Sequence, residues 1–275
     1  MRHGELRTPG IGELDLYAQS WLPENSPRAL LVLSHGLGEH SGRYATLASE
    51  LVGQGYGVYA LDHRGHGRSP GPRANIQRFA HLVSDLCVFV GRCSRQHLDT
   101  PVYLLGHSMG GAVAFGSALR LQDHLRGLVL SAPALAPGEA VSSLREFAVR
   151  TLAAIAPNTG ALALPPSAVS RDPAVVAAYE SDPLVLHKSV PARTVVELLD
   201  AMRGFPAQAP RLLLPTLILH GTGDRLVSLP ANRPVYQAIG AKERSLKVYE
   251  GLYHELFNEP ERATVIGDLL RWLGR

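Results

Sequence analysis

The chain has 275 residues, a formal net charge of +3 and a hydrophobic content of 45%. A chain of this length can bury one large core, and the composition is typical of a globular protein. No apolar run approaches the ~18 residues of a membrane-spanning helix. The basic residues are scattered singly, which argues against a nucleic-acid partner. No signal-like apolar segment follows Met1, so we expect a single cytoplasmic domain spanning residues 1–275.

Apolar and β-branched runs alternate with helical patterns along the chain. Such alternation predicts the α/β class, with a mostly parallel sheet that helices cover on both faces. The predicted strands are Leu14–Trp21, Ala29–Ser34, Gly57–Asp62, Val102–Gly106, Gly127–Ala132, Thr216–His220 and Ser245–Glu250. The predicted helices are Tyr44–Gln54, Asn75–Gln96, Met109–Leu121, Asn232–Ile239 and Glu259–Gly274.

The strand that ends at Gly106 leads into Gly-His-Ser-Met-Gly, a G-x-S-x-G motif with Ser108 at its centre. In this motif a strained turn between a strand and a helix exposes the serine hydroxyl as a nucleophile. A Cβ atom at Gly106 or Gly110 should collide with the neighbouring strand or helix, so both glycines are steric requirements. The motif alone is a weak signal, and its weight depends on the surrounding sequence.

Three further segments follow buried strands and carry polar groups. His35-Gly-Leu-Gly38 follows the second predicted strand, Asp224 follows the sixth, and His254 follows the seventh. Open parallel sheets place their ligands at the carboxyl ends of their strands. The chain order serine, aspartate, histidine is that of the α/β-hydrolases, and it differs from the orders in chymotrypsin and subtilisin. We therefore predict a catalytic triad of Ser108, Asp224 and His254, with the backbone N–H groups of Leu37 and Met109 as oxyanion donors.

Four motifs resemble those of the monoacylglycerol lipases. They are His35-Gly-Leu-Gly-Glu-His-Ser-Gly-Arg-Tyr44, Leu61-Asp-His-Arg-Gly-His-Gly-Arg-Ser69, Gly106–Gly111 and Gly251-Leu-Tyr-His-Glu-Leu-Phe-Asn-Glu259. The resemblance extends from about Leu31 to the C-terminus. It implies an α/β-hydrolase fold with a mobile apolar cap inserted after the sixth strand, and release of a fatty acid from monoacylglycerol. It also implies that Glu39 and Arg43 contact the glycerol hydroxyls, although a local ion pair is an equally good interpretation of these two residues.

The alternation of strands and helices lapses between Pro133 and Pro210, so we assign the cap to about residues 134–210. An amphipathic helix is predicted from Val141 to Ile155, with further helices near Asp172 and over about Pro191–Arg203. The intervening Ala156–Pro166 is apolar and uncharged. Such a segment indicates a surface that meets lipid, which allows transient contact between the cap and a membrane, and an ordinary loop packed onto its own domain is the alternative interpretation.

Other functions remain open at this stage. The same triad would serve a broad carboxylesterase, a lysophospholipase, a thioesterase or a peptidase, and a non-catalytic ligand-binding member of the fold is a further alternative. The chain contains 12 histidines, but position 258 is Asn where an H-E-x-x-H zinc motif starting at His254 would need a second histidine. We expect neither a metal nor an organic cofactor, and a monoacylglycerol or similar lipid ester as substrate.

Overall fold

The computed structural model describes residues 1–138 and 142–275. Its central sheet has eight strands, and a separate pair of short strands forms a second sheet. The strands are β1 (Arg2–Gly10), β2 (Leu14–Leu22), β3 (Ala29–Ser34), β4 (Tyr56–Leu61), β5 (Val102–His107), β6 (Gly127–Ser131), β7 (Gly160–Leu162), β8 (Val190–Pro191), β9 (Thr216–Gly221) and β10 (Arg244–Tyr249).

The central sheet has the order β1-β2-β4-β3-β5-β6-β9-β10. Strands β1 and β2 pair antiparallel, as do β2 and β4, and the other neighbours pair parallel. The predicted α/β class with a mostly parallel sheet is therefore confirmed. Strand β1 was not predicted, and it makes Gly127–Ser131 the sixth strand. The inserted helices follow that strand, as the resemblance implied.

The inner strands are buried on both faces because helices cover each side of the sheet. Alternate residues of β3 enter different cores: Leu30 and Val32 join one cluster, whereas Leu31 and Leu33 join the other. This period of two is the side-chain alternation of a β-strand. A strand with two buried faces reads as a continuous aliphatic run, which is why these strands were visible in the sequence.

Eight α-helices lie within the described ranges. They are α1 (Ala45–Gly53), α2 (Phe79–Gln96), α3 (Met109–Leu121), α4 (Ser143–Ile155), α5 (Pro173–Ser181), α6 (Ala192–Gln208), α7 (Leu229–Ala238) and α8 (Arg262–Leu273). Helix α2 begins four residues later than predicted, and the Phe79 N–H donates to the Glu197 carboxylate of α6. Helix α7 begins three residues earlier, where the Ser228 side chain caps it.

The segment between β6 and β9 contains α4, α5 and α6 together with the β7–β8 pair. Part of the apolar Ala156–Pro166 run, predicted as a loop, thus forms a short strand. The predicted start of the first helix, Val141, lies outside the described residues. No helix within those residues is long and apolar enough to span a bilayer.

Helix α4 faces the opposite way from an ordinary surface helix. Its buried residue is Glu146, whereas Leu144, Phe147 and Ile155 are 77%, 69% and 79% exposed. Glu146 pairs with Arg150 of the same helix and with Arg203 of α6. The predicted amphipathic pattern is present, but ion pairs hold its charged side against α6 and leave an apolar stripe in solvent.

Candidate active site

Ser108 occupies the turn between β5 and α3, in a backbone conformation that few residues other than glycine adopt. Its φ is 54° and its ψ is −120°. Such strain costs on the order of 1–3 kcal/mol and persists where the surrounding structure enforces it. A Cβ atom at Gly106 would lie 2.4 Å from the Gly110 carbonyl oxygen, and one at Gly110 would lie 2.1 Å from the Ser34 carbonyl oxygen. The predicted steric need for both glycines is confirmed.

His254 and Asp224 lie in direct contact although 30 residues separate them. The Nδ1–H group of His254 donates to Oδ2 of Asp224 over 2.7 Å. The other carboxylate oxygen accepts from the N–H groups of Leu226 and Val227 at 2.8 and 2.9 Å. With Nδ1 committed as a donor, Nε2 of the neutral ring is left as the acceptor that a general base requires.

The electrostatics of this pair suit a general base. Burial opposes ionisation of Asp224, but the charge of His254 and hydrogen bonds from His220, His254 and Val227 outweigh it and hold the aspartate pKa well below its usual value. Burial likewise opposes protonation of His254, but the charge of Asp224 and its hydrogen bond raise the histidine pKa. The aspartate therefore remains ionised and favours the protonated form of His254.

A second histidine contacts the same oxygen of the aspartate. Nε2 of His220, at the end of β9, lies 3.3 Å from Oδ2 of Asp224 and 3.0 Å from the Val227 carbonyl oxygen. A carbonyl oxygen can only accept, so Nε2 carries the proton and Nδ1 accepts from the Tyr236 hydroxyl at 2.9 Å. His220 thus supplies Asp224 with a further donor, a role that the sequence analysis did not anticipate.

Ser108, His254, Leu37 and Met109 line one cavity of about 120 Å³. Among the described residues the Ser108 hydroxyl makes no hydrogen bond, and the backbone N–H groups of Leu37 and Met109 have no acceptor. Two unpaired donors beside a serine are the arrangement that an oxyanion hole requires. The structure therefore brings together the five residues predicted for the chemistry, with the serine not yet hydrogen-bonded to the histidine.

Glu39 and Arg43 are in direct contact with each other, but they differ in their relation to this cavity. Glu39 lines the cavity, and Arg43 does not. The Glu39 carboxylate accepts from the Gly36 N–H, the Tyr44 hydroxyl and the Arg43 guanidinium at 2.5, 2.7 and 2.9 Å. The predicted local ion pair is present.

A third charged residue completes this cluster. Arg43 also donates two hydrogen bonds to Glu255, at 2.5 and 2.7 Å. Glu255 follows His254 directly and lines the cavity. The sequence analysis quoted Glu255 within a motif without assigning it a role, because nothing in its spacing from Arg43, 212 residues earlier, indicates the contact.

The histidines in the adjoining turns have structural contacts. Nδ1 of His35 donates to the Gly36 carbonyl oxygen at 2.8 Å, and its Nε2 accepts from the His63 N–H at 3.0 Å. Nδ1 of His107 donates to the Ser131 carbonyl oxygen at 3.1 Å. Burial lowers the pKa of His35 and of His107 to about 4, so both rings are neutral at neutral pH. Within the described ranges, no three acidic, histidine or cysteine side chains are grouped as a metal site.

The strained serine at the carboxyl edge of a parallel sheet, with the histidine–aspartate pair beside it, defines a serine hydrolase of the α/β-hydrolase fold. A family model described as serine aminopeptidase, S33, matches residues 25–261. The chain is 39% identical over 264 residues to a monoacylglycerol lipase of Mycolicibacterium smegmatis, a match that covers 96% of this chain and 94% of the relative. It is 35% identical to the monoglyceride lipase of Homo sapiens, covering 94% of this chain and 87% of the relative.

A solved structure gives the same result. The crystal structure of Paleococcus ferrophilus monoacylglycerol lipase matches with a TM-score of 0.82 and 32% sequence identity, covering 94% of this chain and 98% of that one. The chain belongs to the monoacylglycerol lipase family of serine ester hydrolases. The resemblance drawn from its four motifs is confirmed.

Proposed function

We propose that this protein hydrolyses the ester bond of monoacylglycerols to a fatty acid and glycerol through an acyl-enzyme on Ser108. The observation that carries the proposal is the hydrogen bond of 2.7 Å between His254 and Asp224, because His254 also lines the same cavity as the strained Ser108. Membership of the monoacylglycerol lipase family supports the choice of substrate.

In the acylation step, Nε2 of His254 removes the proton from the Ser108 hydroxyl as its oxygen attacks the ester carbonyl carbon. Asp224 holds the imidazole in the tautomer that leaves Nε2 free and stabilises the imidazolium. The N–H groups of Leu37 and Met109 donate to the oxyanion of the tetrahedral intermediate. The imidazolium then protonates the departing glycerol oxygen, which leaves the acyl group on Ser108.

In the deacylation step, His254 removes a proton from a water molecule that attacks the acyl-enzyme. The second tetrahedral intermediate uses the same two N–H donors, and collapse returns the proton from His254 to Ser108. The fatty acid leaves as the product. Every proton in this cycle moves through Nε2 of His254, so the cycle needs no metal or organic cofactor.

The polar residues that line the cavity support a glycerol head group as the leaving group. Glu39 lines the cavity and is held by Arg43, and a glycerol hydroxyl can donate to the one acceptor position that its three hydrogen bonds leave open. We assign Glu39 a direct contact with the head group and Arg43 a contact through Glu39.

We expect monoacylglycerols to be hydrolysed faster than triacylglycerols. A diacyl head group would leave the polar groups of the cavity unpaired, at a cost of about 1–3 kcal/mol each, or roughly ten- to a hundredfold in rate for each group. The measurement is fatty-acid release from monoolein and from triolein in matched dispersions. Equal rates would contradict a head-group pocket. The same assay with a lysophospholipid and with p-nitrophenyl acetate tests the alternatives. Preference for the lysophospholipid over monoolein would identify a lysophospholipase, and preference for p-nitrophenyl acetate would identify a broad carboxylesterase.

We further assign residues 134–210 as a cap of the single domain spanning residues 1–275. A cavity of about 120 Å³ is smaller than the 300–1,000 Å³ of ordinary ligand pockets, so a long acyl chain requires the cap to open. Leu162 and Leu164, from the apolar run of the cap, line the cavity. The exposed stripe on α4 supports contact of the open cap with a lipid surface.

Replacing Leu162 and Leu164 together by Ser should lower kcat/KM for a long-chain monoacylglycerol far more than for p-nitrophenyl acetate. Each buried methylene contributes about 0.8 kcal/mol, so a long chain gains several kcal/mol from this surface and an acetyl group gains almost nothing. The measurement is the ratio of the two specificity constants in variant and parent.

Leu98→Ser is the matched control, because Leu98 is 77% exposed and does not line the cavity. We expect the control to leave the ratio unchanged. Melting temperatures of both variants reveal any loss of folded protein. An unchanged ratio in the double variant would mean that this segment is an ordinary packed loop, and the cap assignment would be wrong.

A further inference from the structure

We propose that Arg43 is a positioning residue for catalysis: it joins the loop that carries one oxyanion donor to the turn that carries the catalytic base. Glu39, Arg43 and Glu255 together form what we call the carboxylate bridge. The proposal rests on the triad and oxyanion donors of the proposed function. It gives Arg43 and Glu255 an effect on the chemical step that does not depend on a glycerol head group.

The centre of the bridge is a buried guanidinium held by two carboxylates. Arg43 donates to Glu39 at 2.9 Å and to both carboxylate oxygens of Glu255 at 2.5 and 2.7 Å. Its guanidinium carbon lies 4.8 Å from the centre of the Tyr179 ring of α5. The Arg43 side chain is 9% exposed, and those of Glu39 and Glu255 are 5% and 7% exposed.

One end of the bridge fixes the oxyanion loop. The Glu39 oxygen Oε1 accepts from the Gly36 N–H at 2.5 Å and from the Tyr44 hydroxyl at 2.7 Å. Gly36 immediately precedes Leu37, whose N–H is an assigned oxyanion donor. The Gly36 N–H belongs to the peptide group directly before the one that carries the Leu37 N–H, so the Glu39 carboxylate anchors this loop one peptide unit away from that donor.

The other end fixes the turn of the catalytic base. Glu255 follows His254, its Oε2 accepts from the Asn258 side chain at 2.9 Å, and its own N–H donates to the Val169 carbonyl oxygen at 2.8 Å. Val169 belongs to the inserted segment, as does Tyr179. The bridge therefore connects the oxyanion loop, the His254 turn and the segment assigned as the cap.

The position of Arg43 favours this role over direct contact with substrate. Arg43 does not line the catalytic cavity, whereas Glu39 and Glu255 do. Both terminal guanidinium nitrogens are already engaged by carboxylates. Because burial of three charges is costly, such a cluster contributes geometry more readily than stability. The planar fork of arginine can hold two carboxylates in fixed directions, which the single ammonium of lysine cannot do.

The bridge also alters the electrostatics of the base. The titratable and charged groups around His254 include Asp224, which is also in contact with His220. The ring centre of His107 lies 4.6 Å from that of His254. The other groups are the bridge residues Glu39, Arg43 and Glu255. After burial and Asp224, the charges of Glu255 and Glu39 also raise the pKa of His254. The loss of the Glu255 charge should therefore lower that pKa.

The first test is Arg43→Lys, assayed with monoolein and with p-nitrophenyl acetate, which has no glycerol head group. We expect kcat to fall roughly 10- to 100-fold on both substrates, because a displaced donor and base misplace the reacting groups. The KM for monoolein should change little. Arg171→Lys is the matched control: Arg171 also pairs with two glutamates, Glu259 and Glu261, but neither of these glutamates lines the cavity.

The second test is the pH profile of Glu255→Gln with p-nitrophenyl acetate. The acid limb of kcat/KM reports the pKa of His254 in the free enzyme, because the base must be neutral to accept the serine proton. Removal of a nearby negative charge disfavours the imidazolium, so the midpoint of that limb should move to lower pH. The pH profile of Glu255→Gln can be measured even if the Arg43 variant fails to fold.

Three results would overturn the proposal. In the first, Arg43→Lys hydrolyses p-nitrophenyl acetate normally and only its KM for monoolein is raised. In the second, Arg43→Lys has a lowered melting temperature but a normal kcat on both esters. In the third, the acid limb of the pH profile does not move in Glu255→Gln. Failure of the proposed function would look different. In that case the parent protein itself would hydrolyse neither ester, or Ser108→Ala would retain activity.

Discussion

Ser108→Ala should abolish ester hydrolysis, with kcat reduced by roughly 10⁶-fold, the size of loss seen when a triad nucleophile is removed. Without the hydroxyl, no acyl-enzyme can form. The oxyanion donors and the binding surface remain, and they retain only a small acceleration over the reaction in water. The measurement is fatty-acid release from monoolein by parent and variant at matched concentrations of folded protein.

Ser131→Ala is the matched control for this experiment. Ser131 ends the neighbouring strand, its backbone carbonyl accepts from the Ser108 N–H at 3.0 Å, and its buried hydroxyl has no hydrogen-bond partner among the described residues. Loss of that hydroxyl removes no interaction, so activity should persist. Parent-like activity in Ser108→Ala would show that the nucleophile has been misassigned.

Asp224→Asn should fold and yet lose roughly 10³- to 10⁴-fold in turnover. The amide keeps the shape of the side chain but removes the charge, and its NH₂ group cannot accept the proton of His254. The imidazole would then favour the wrong tautomer, and the imidazolium would lose its stabilising charge. Single-turnover rates with p-nitrophenyl acetate measure the effect on acylation directly.

Asp200→Asn serves as the control for Asp224→Asn. Asp200 is exposed on α6, pairs with Arg150 and does not line the cavity. Neither Asp123, Asp172 nor Asp182 has a catalytic role in this account. A near-normal rate in Asp224→Asn, together with a collapse in one of the other aspartate variants, would assign the acid elsewhere.

The sequence predicted the inner part of the fold better than its edges. Strands such as β3 and β5 are buried on both faces and read as continuous aliphatic runs. Strand β1, by contrast, is mostly exposed and carries charged residues, so it has no apolar alternation. It is held by backbone pairing with β2 across a turn in which Gly12 and Glu13 have positive φ. Periodicity cannot detect a strand of that kind.

Helix α4 illustrates a second limit of sequence periodicity. The pattern of Leu144, Phe147 and Ile155 marked an apolar face, but it could not show which face meets the protein. The orientation depends on pairs between α4 and α6, such as Glu146 with Arg203, and these partners lie 57 residues apart. Charged partners on another helix hold the polar face inward, which leaves the apolar face outward.

The locations of the residues assigned to the chemistry could be predicted because each lies at a strand end within a short motif. Ser108 follows β5, Asp224 follows β9 and His254 follows β10, so the parallel sheet alone brings them to one edge. Glu255 and His220 could not be predicted in the same way. Their roles depend on contacts with Arg43 and Asp224 that form only when side chains from separate loops pack together.

The most direct test of the central claim is labelling by a fluorophosphonate in competition with lipid esters. The labelled peptide is identified by mass spectrometry, and the labelling rate is measured with and without monoolein or triolein. We predict a single adduct on Ser108, its absence from Ser108→Ala, and stronger protection by monoolein than by triolein. An adduct on another serine, or labelling that monoolein does not slow, would contradict the assignment of Ser108 as the nucleophile of a monoacylglycerol lipase.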